Sequence, residues 1–264
     1  SIVKVPEFGT SGFRGIAARE LFSNRFLTLV EEMGARLERS ALSTNVKDRL
    51  DFSCALLDSD GLLTANAPHV PVHLGALGLC VREIAATLSL EPGDVVVSNH
   101  PGFGGSHLPD LTVIAPVHDK SGNLFAYVAN RAHHAEIGGV RPGSMPPEAL
   151  NLAEEGVVIP PTYLFEKGES RVEEVARLFC EGPWPSRRPE ENHADLLAQV
   201  ASVRFGCNRL SELAEEHGSR TLGEQMKHLR DRSAGICREF LARHDGADLQ
   251  TEQRLDDGSL IAVT

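Results

Sequence analysis

Two apolar segments separated by a short turn constrain the fold more than any other part of this sequence. Residues 111–117 and 124–130 alternate or run apolar, as strands that bury at least one face do. Between them, residues 119–122 read Asp-Lys-Ser-Gly, which is typical of a tight turn. The pattern predicts an antiparallel hairpin. The residues just outside its two strands should therefore lie close together.

Side chains that bind metals or transfer protons are concentrated at the open end of this hairpin. His107 and Asp110 precede the first strand, and His133, His134 and Glu136 follow the second. Because adjacent residues on a strand point to opposite faces, only one of the two neighbouring histidines should reach a shared metal. The alternative from the residues alone is a polar loop in which Asp110 caps a turn.

The remaining patterns predict an α+β (mixed) fold of antiparallel hairpins and small sheets, with an N-terminal helix and a C-terminal helical region. Apolar residues at helical spacing identify the helices, and strand-like apolar runs identify the strands. They are a helix over 18–43, a strand over 51–58 that turns into 62–64, a helix near 75–88, a short strand over 95–97, a proline-rich ordered loop or lid over 140–161, and two or three helices from about 190 to 243.

Three regions follow from this assignment. Residues 1–17 form an irregular lead-in, 18–165 a metal-site α/β domain, and 166–264 a mainly helical region that ends in an unfinished strand. That strand, over 255–264, has no partner after it. It therefore suggests either an incomplete sequence or pairing with another chain.

Composition and charge argue against several classes of protein. A formal net charge of -11 disfavours nucleic acid as a partner, since phosphate binding needs a basic face. No run of eighteen apolar residues is present, and the start lacks the apolar core of a signal peptide. Five scattered cysteines suggest reduced thiols in a cytoplasmic protein. The absence of a phosphate-binding loop indicates that this chain has no ATP site of its own.

Five sequence strings, in order, resemble the hydantoinase B family. The family includes B subunits of ATP-dependent hydantoinases, the matching half of 5-oxoprolinases, lactamases of the caprolactamase type, and subunits of acetone and acetophenone carboxylases. The resemblance extends from about residue 18 to residue 264 and covers roughly the N-terminal half of a family member. The strings are DFSCALLD (51–58), PVHLGAL (71–77), NHPGFGGSHLPD (99–110), NRAHHAEIGG (130–139) and PGSMPP (142–147).

The resemblance implies a site for a divalent metal (zinc, manganese or iron) that acts with a partner. An A-type hydantoinase subunit would bind ATP and phosphorylate the substrate, and this chain would resolve the activated species in a hetero-oligomer. Carried over by position, the metal ligands would be Asp51, His107, Asp110 and His133. The assignment of His133 rather than His134 rests on its position after the hairpin.

Further residues receive roles in the same hypothesis. His134 or Glu136 would orient the attacking water or carry a proton. Glu136 stands where the family commonly has aspartate, which leaves open whether it supports the site or acts as a base. His73, Gly104 and Gly105 could contact substrate, although histidines and glycines in loops often have purely structural roles.

The function implied is ATP-dependent opening of a small cyclic amide such as a hydantoin, 5-oxoproline or a lactam. Two alternatives stay open. The chain could belong to a ketone carboxylase, or it could be a truncated chain that only scaffolds its partner.

Overall fold

The computed structural model describes residues 12–67, 70, 73, 75–243 and 250–263. Its helices are α1 (Gly12–Ser40), α2 (Thr44–Lys47), α3 (Ala76–Thr87), α4 (Leu152–Glu155), α5 (Val172–Leu178), α6 (Pro189–His217) and α7 (Ser219–Ala242). Its strands are β1 (Phe52–Asp58), β2 (Leu63–Ala67), β3 (Val95–Ser98), β4 (Asp110–His118), β5 (Leu124–His133), β6 (Thr162–Glu166), β7 (Glu169–Ser170), β8 (Thr251–Arg254) and β9 (Leu260–Val263).

Seven of the strands form one antiparallel sheet with the order β2-β1-β5-β4-β3-β6-β7. The predicted hairpin is its centre, since β4 and β5 pair from Asp110 opposite His133 to His118 opposite Leu124. The register shifts once, between Val117 and His118, next to the turn. The antiparallel hairpins predicted from sequence are therefore confirmed, and they join into a single sheet.

Helices cover both faces of this sheet, so its central strands are apolar on both sides. Helices α1, α6 and α7 cover one face, where alternate residues of β1, β4 and β5 join the larger hydrophobic cluster. Helix α3 covers the other face, where Leu77, Cys80, Val81 and Ile84 pack against the intervening strand residues. These surfaces are called below the α6 face and the α3 face.

Helix α6 presents buried polar side chains as well as apolar ones to the sheet. They recur at helical spacing, which places them on one side of the helix. Each bonds a group on the packed elements. They are Asn192, Asp195, Gln199 and Ser202.

The sequence patterns did not predict α2, α5, β6 and β7, and three further elements differ from the expectations. Helix α1 begins at Gly12, six residues before its predicted start and inside the segment expected to be irregular, of which residues 1–11 lie outside the described chain. The final strand is β9, and it pairs with β8, a short strand that the sequence did not predict. The proline-rich loop contains the single turn of α4. The division into three regions stays a prediction.

None of the helices in the described part of the chain combines the length and the apolar character that a membrane span requires.

Candidate metal centre

The potential metal ligands meet at one end of the sheet, where β4 begins and β5 ends. Asp110 is paired with His133 in the strand register. One ligand atom from each of His107, Asp110 and His133 lies within 4.8 Å of the other two. The rings of His107 and His133 have centroids 4.8 Å apart. The predicted convergence of the residues around the hairpin is confirmed, and these three residues are called below the His–Asp–His cluster.

Strand alternation places this cluster on the α3 face. Along β5, Tyr127 and Ala129 pack in the α3-side cluster, whereas Ala126, Val128 and Ala132 pack on the α6 side. From Tyr127 to the end of the strand, odd-numbered residues therefore face α3. His133 follows this alternation into the cluster, and His134 turns toward α6.

Asp110 is the centre of the cluster. Its side chain is nearly inaccessible, and its Oδ2 lies 3.3 Å from Nε2 of His107 and 3.4 Å from Nε2 of His73. Ser106 Oγ donates a short hydrogen bond to the same oxygen. The other oxygen, Oδ1, is buried and has no hydrogen-bond partner among the described residues. A buried carboxylate oxygen without a partner carries a large desolvation cost.

The local electrostatics favour an ionised carboxylate beside imidazoles with different proton affinities. Burial opposes ionisation of Asp110, but hydrogen bonds from His107, His73 and Ser106 outweigh it and hold the pKa of Asp110 far below its ordinary value. The hydrogen bond to Asp110 raises the pKa of His107. Burial lowers the pKa of His133, and the charges of Asp110 and Asp51 oppose that effect only in part.

The donor set fits a divalent cation. Two imidazoles and a carboxylate are ligands that zinc, manganese and iron share, and the partnerless Oδ1 of Asp110 supplies an unused acceptor. Asp51 lies beside the cluster without joining it. Its backbone oxygen accepts the N–H of His133 at 2.9 Å, and its charge acts on both His107 and His133. The role of Asp51 as a fourth ligand stays a prediction.

Two residues that the sequence analysis did not select support the cluster from the same face. Arg131 is fully buried and donates to Thr112 Oγ1 at 2.7 Å, Gly104 O at 2.8 Å and Ser106 Oγ at 3.3 Å. Ser106 in turn donates to Asp110. Since Arg131 stands two residues before His133 on β5, strand alternation alone could have indicated it.

The residues expected to contact substrate have mainly structural contacts. His73 is buried, with Nδ1 3.1 Å from Ser53 Oγ and Nε2 facing Asp110, so it belongs to the support of the cluster. A Cβ at Gly104 would lie 2.7 Å from the backbone nitrogen of Cys80, and one at Gly105 would lie 2.6 Å from the oxygen of Asn99. Close packing therefore explains both glycines without a ligand. A role in substrate binding stays a prediction.

His134 is enclosed between β5 and α6. Its Nε2 lies 3.1 Å from Gln199 Oε1, its Nδ1 lies 3.2 Å from Asn192 Nδ2, and its ring stacks on Phe179. An amide oxygen on one side and an amide nitrogen on the other suit a neutral ring that donates from Nε2. Both ring nitrogens are thus used, and the catalytic role predicted for His134 stays a prediction.

Glu136 organises the loop that follows β5. Its carboxylate accepts the backbone N–H of Gly138 at 2.6 Å and that of Gly143 at 3.0 Å, and Arg187 donates to it at 3.0 Å. Of the two roles left open by sequence, these contacts favour support of the loop. A role as base stays a prediction.

Replacement of His134 should make the free energy of unfolding less dependent on pH. Burial lowers the pKa of His134 in the folded protein. The contribution of this neutral ring to the free energy of unfolding is therefore present above the pKa of the unfolded chain, near 6.5, and is lost as pH falls below it. One such group changes the free energy of unfolding by at most about 1.4 kcal/mol per pH unit. Urea denaturation of the wild type and His134→Gln at several pH values between 5 and 7.5 measures this difference. Equal slopes would contradict the assignment.

The comparison with protein families decides the identity of this chain. The family model described as Hydantoinase B/oxoprolinase matches residues 17–264. The chain belongs to the hydantoinase B/oxoprolinase family. The resemblance inferred from the five sequence strings is therefore confirmed.

Relatives of this hydantoinase B/oxoprolinase chain are longer proteins. It is 45% identical over 255 residues to 5-oxoprolinase of Saccharomyces cerevisiae, covering 92% of this chain and 20% of that protein. It is 42% identical over 268 residues to 5-oxoprolinase 1 of Arabidopsis thaliana, covering 91% of this chain and 21% of that protein. The chain thus spans about a fifth of the length of these relatives.

A solved structure shares the fold of this family member. The ATP-dependent caprolactamase from Pseudomonas jessenii superposes with a TM-score of 0.82 at 25% sequence identity, covering 95% of this chain and 42% of that one. An acetone carboxylase structure superposes with a TM-score of 0.72 at 18% identity, covering 81% of this chain and 28% of that one, which shows the fold alone.

Proposed function

We propose that this chain carries the metal-dependent part of an ATP-dependent cyclic-amide hydrolase, with 5-oxoproline as the first substrate to test. The observation that carries the proposal is the buried Oδ1 of Asp110, which has no partner among the described residues, in a carboxylate grouped with the imidazoles of His107 and His133. The identity to 5-oxoprolinases supports the choice of substrate. ATP would be bound and used by an A-type partner subunit.

Four residues would hold the metal: Asp51, His107, Asp110 and His133. When bound there, a divalent metal supplies Lewis acidity to a carbonyl oxygen and lowers the pKa of a water molecule. Asp110 offers Oδ1 while His73 and Ser106 hold Oδ2, so its orientation is fixed before any ligand arrives. His133 stays neutral at a higher acidity than a free imidazole, which keeps a ring nitrogen available for a cation.

The chemistry requires an activated amide. The partner would transfer the terminal phosphoryl group of ATP to the amide oxygen, which makes the ring carbon more electrophilic. Water would then add to that carbon, and the ring C–N bond would break to give a free amine and an acyl phosphate. A second water molecule would hydrolyse the acyl phosphate, which releases phosphate and leaves a carboxylate. His107 is the member of the cluster whose side chain is partly exposed, at 33%, and it is therefore the residue best placed to meet substrate.

A reconstituted assay tests this function. The chain is combined with an A-type hydantoinase subunit, ATP and 5-oxoproline, and ring-opened product and ADP are measured together. We expect product only when chain, partner, ATP and a divalent metal are all present. Removal of metal with a chelator should abolish product formation, and zinc or manganese should restore it.

Parallel reactions distinguish the alternatives. Hydantoin and caprolactam replace 5-oxoproline to define the cyclic amide, and acetone with bicarbonate tests ketone carboxylation. Ketone-dependent ADP release without amide hydrolysis would replace the proposed function with carboxylation. Full activity with the metal-stripped chain would instead support a scaffold role.

A further inference from the structure

The side chain of Asn45 contacts His133 on the side away from Asp110. Its Nδ2 lies 2.9 Å from Nδ1 of the imidazole. A carboxamide carries an oxygen and a nitrogen in one plane, and half a turn about its last bond exchanges them. Asn45 can therefore either donate to this ring nitrogen or accept a proton from it. The choice determines which nitrogen of His133 carries hydrogen.

A histidine that binds a metal through one ring nitrogen keeps its proton on the other. That N–H normally donates to an oxygen, which fixes the tautomer and the ring orientation. Since Asn45 occupies the Nδ1 side of His133, Nε2 is the nitrogen left for a cation. The oxygen of Asn45 must then face Nδ1. The contact given up is a 3.4 Å hydrogen bond from Arg49, whose side chain is exposed.

Several backbone contacts hold Asn45 in this position. It lies on α2, whose preceding residues Leu42 and Ser43 donate backbone N–H groups to the buried Oδ1 of Asp195 on α6, at 2.7 and 3.1 Å. The backbone oxygen of Asn45 accepts the N–H of Asp51 at 2.9 Å. The oxygen of Asp51 accepts the N–H of His133 at the same distance. Asn45 and His133 are therefore linked through both side chains and backbone.

We infer that Asn45 is a positioning residue that accepts the Nδ1 proton of His133 and thereby directs its Nε2 to the metal. The inference rests on the proposed function, because it requires a cation at the His–Asp–His cluster. It assigns a task to α2, a helix of four residues that no other part of the proposed chemistry uses.

Two substitutions at one position test the inference. Asn45→Asp keeps an oxygen acceptor, and Asn45→Leu has similar volume but no acceptor. We expect Asn45→Leu to bind zinc and manganese about 10- to 100-fold more weakly, as is typical when the partner of a metal-bound histidine is removed. Asn45→Asp should bind them at least as well as the wild type. Dissociation constants are measured by competition with a chelating dye on protein shown to be folded by circular dichroism.

The matched control is Arg49→Met, which removes the other side-chain contact of Asn45 and leaves the acceptor. Its metal affinity should stay within about twofold of the wild type. A second readout is the nitrogen-15 NMR signal of His133 in the zinc-loaded protein. It should show hydrogen on Nδ1 in the wild type and in Asn45→Asp. Hydrogen on Nε2 would overturn the inference.

The result also separates this inference from the proposed function. If wild type binds metal through Asp110 but Asn45→Leu binds equally tightly, Asn45 is not a positioning residue and the metal centre stands. Equal weakening in Asn45→Leu and Asn45→Asp would likewise overturn it, since only one of them lacks the acceptor. If the wild type binds no metal that depends on Asp110, both proposals fail.

Discussion

Asp110→Ala should lose its bound metal and all ATP-dependent turnover while it keeps its fold. The wild-type carboxylate offers Oδ1 to a cation and holds His107 through Oδ2, so alanine removes one ligand and releases another. The loss of affinity should exceed the roughly 10- to 100-fold effect of removing a residue that only supports a ligand. Metal content by mass spectrometry and turnover with the partner subunit measure the two effects.

Thermal unfolding separates loss of metal from loss of structure. A ligand present at a hundred times its dissociation constant stabilises a folded protein by about 2.7 kcal/mol. Added metal should therefore raise the melting temperature of the wild type and leave that of Asp110→Ala unchanged. Asp110→Asn is the matched control for volume, because it keeps a neutral oxygen with weak affinity for cations. Retained metal and full activity in the alanine variant would refute the metal assignment.

Arg131→Met should be among the most destabilising single substitutions in the central strands. The guanidinium is fully buried and is the donor to Thr112, Gly104 and Ser106. Removing one partner from a buried charged network costs about 3–5 kcal/mol. Because Ser106 also donates to Asp110, the variant should bind metal more weakly even at temperatures where it is folded. Urea unfolding measures the loss of stability, and metal titration measures the loss of affinity for the metal.

Two other arginine variants act as controls for this result. Arg131→Lys keeps the charge but not the planar set of donors, so it should lose about 1–3 kcal/mol. Arg209→Met removes an exposed arginine that pairs with Glu212 and Glu32, and such surface pairs contribute about 0–1 kcal/mol. If Arg131→Met were no less stable than Arg209→Met, the buried network would not support the fold.

The sequence alone was sufficient to predict those parts of the fold that form within one continuous segment of the chain. The β4–β5 hairpin is one continuous segment with a turn of ordinary composition, so its register brings Asp110 to His133 without reference to the rest of the fold. The same alternation correctly separated His133 from His134. The N-terminal and C-terminal helices followed from their apolar spacing, and the inner faces of α1 and α6 are buried as that spacing predicts. Helix α7 is buried only at Leu222 and Met226, whereas Ile236, Phe240 and Leu241 near its end are exposed.

Contacts between distant segments were not predictable in this way. Asn45 reaches His133 because β1, which follows α2, pairs with the distant strand β5 as well as with β2, its neighbour in sequence. His73, which precedes α3 in the sequence, contacts Asp110 across 37 residues, and Glu136 contacts Arg187 across 51 residues. A single sequence contains no direct record of strand order, so the partners of each candidate residue required the structure.

Side chains along β5 alternate between the two faces of the sheet, so the strand contains two sets of positions that can be substituted independently. Residues that face α6, such as Asn130 and Ala132, contact that helix and the larger hydrophobic cluster, whereas Arg131 and His133 on the other face lie at the His–Asp–His cluster and its support. An insertion of one residue within β5 would exchange the two sets. The register shift at Val117 and His118, close to the turn, gives a place where such a change in length can be absorbed. A change in the length of this hairpin near the turn can therefore leave Asp110 opposite His133.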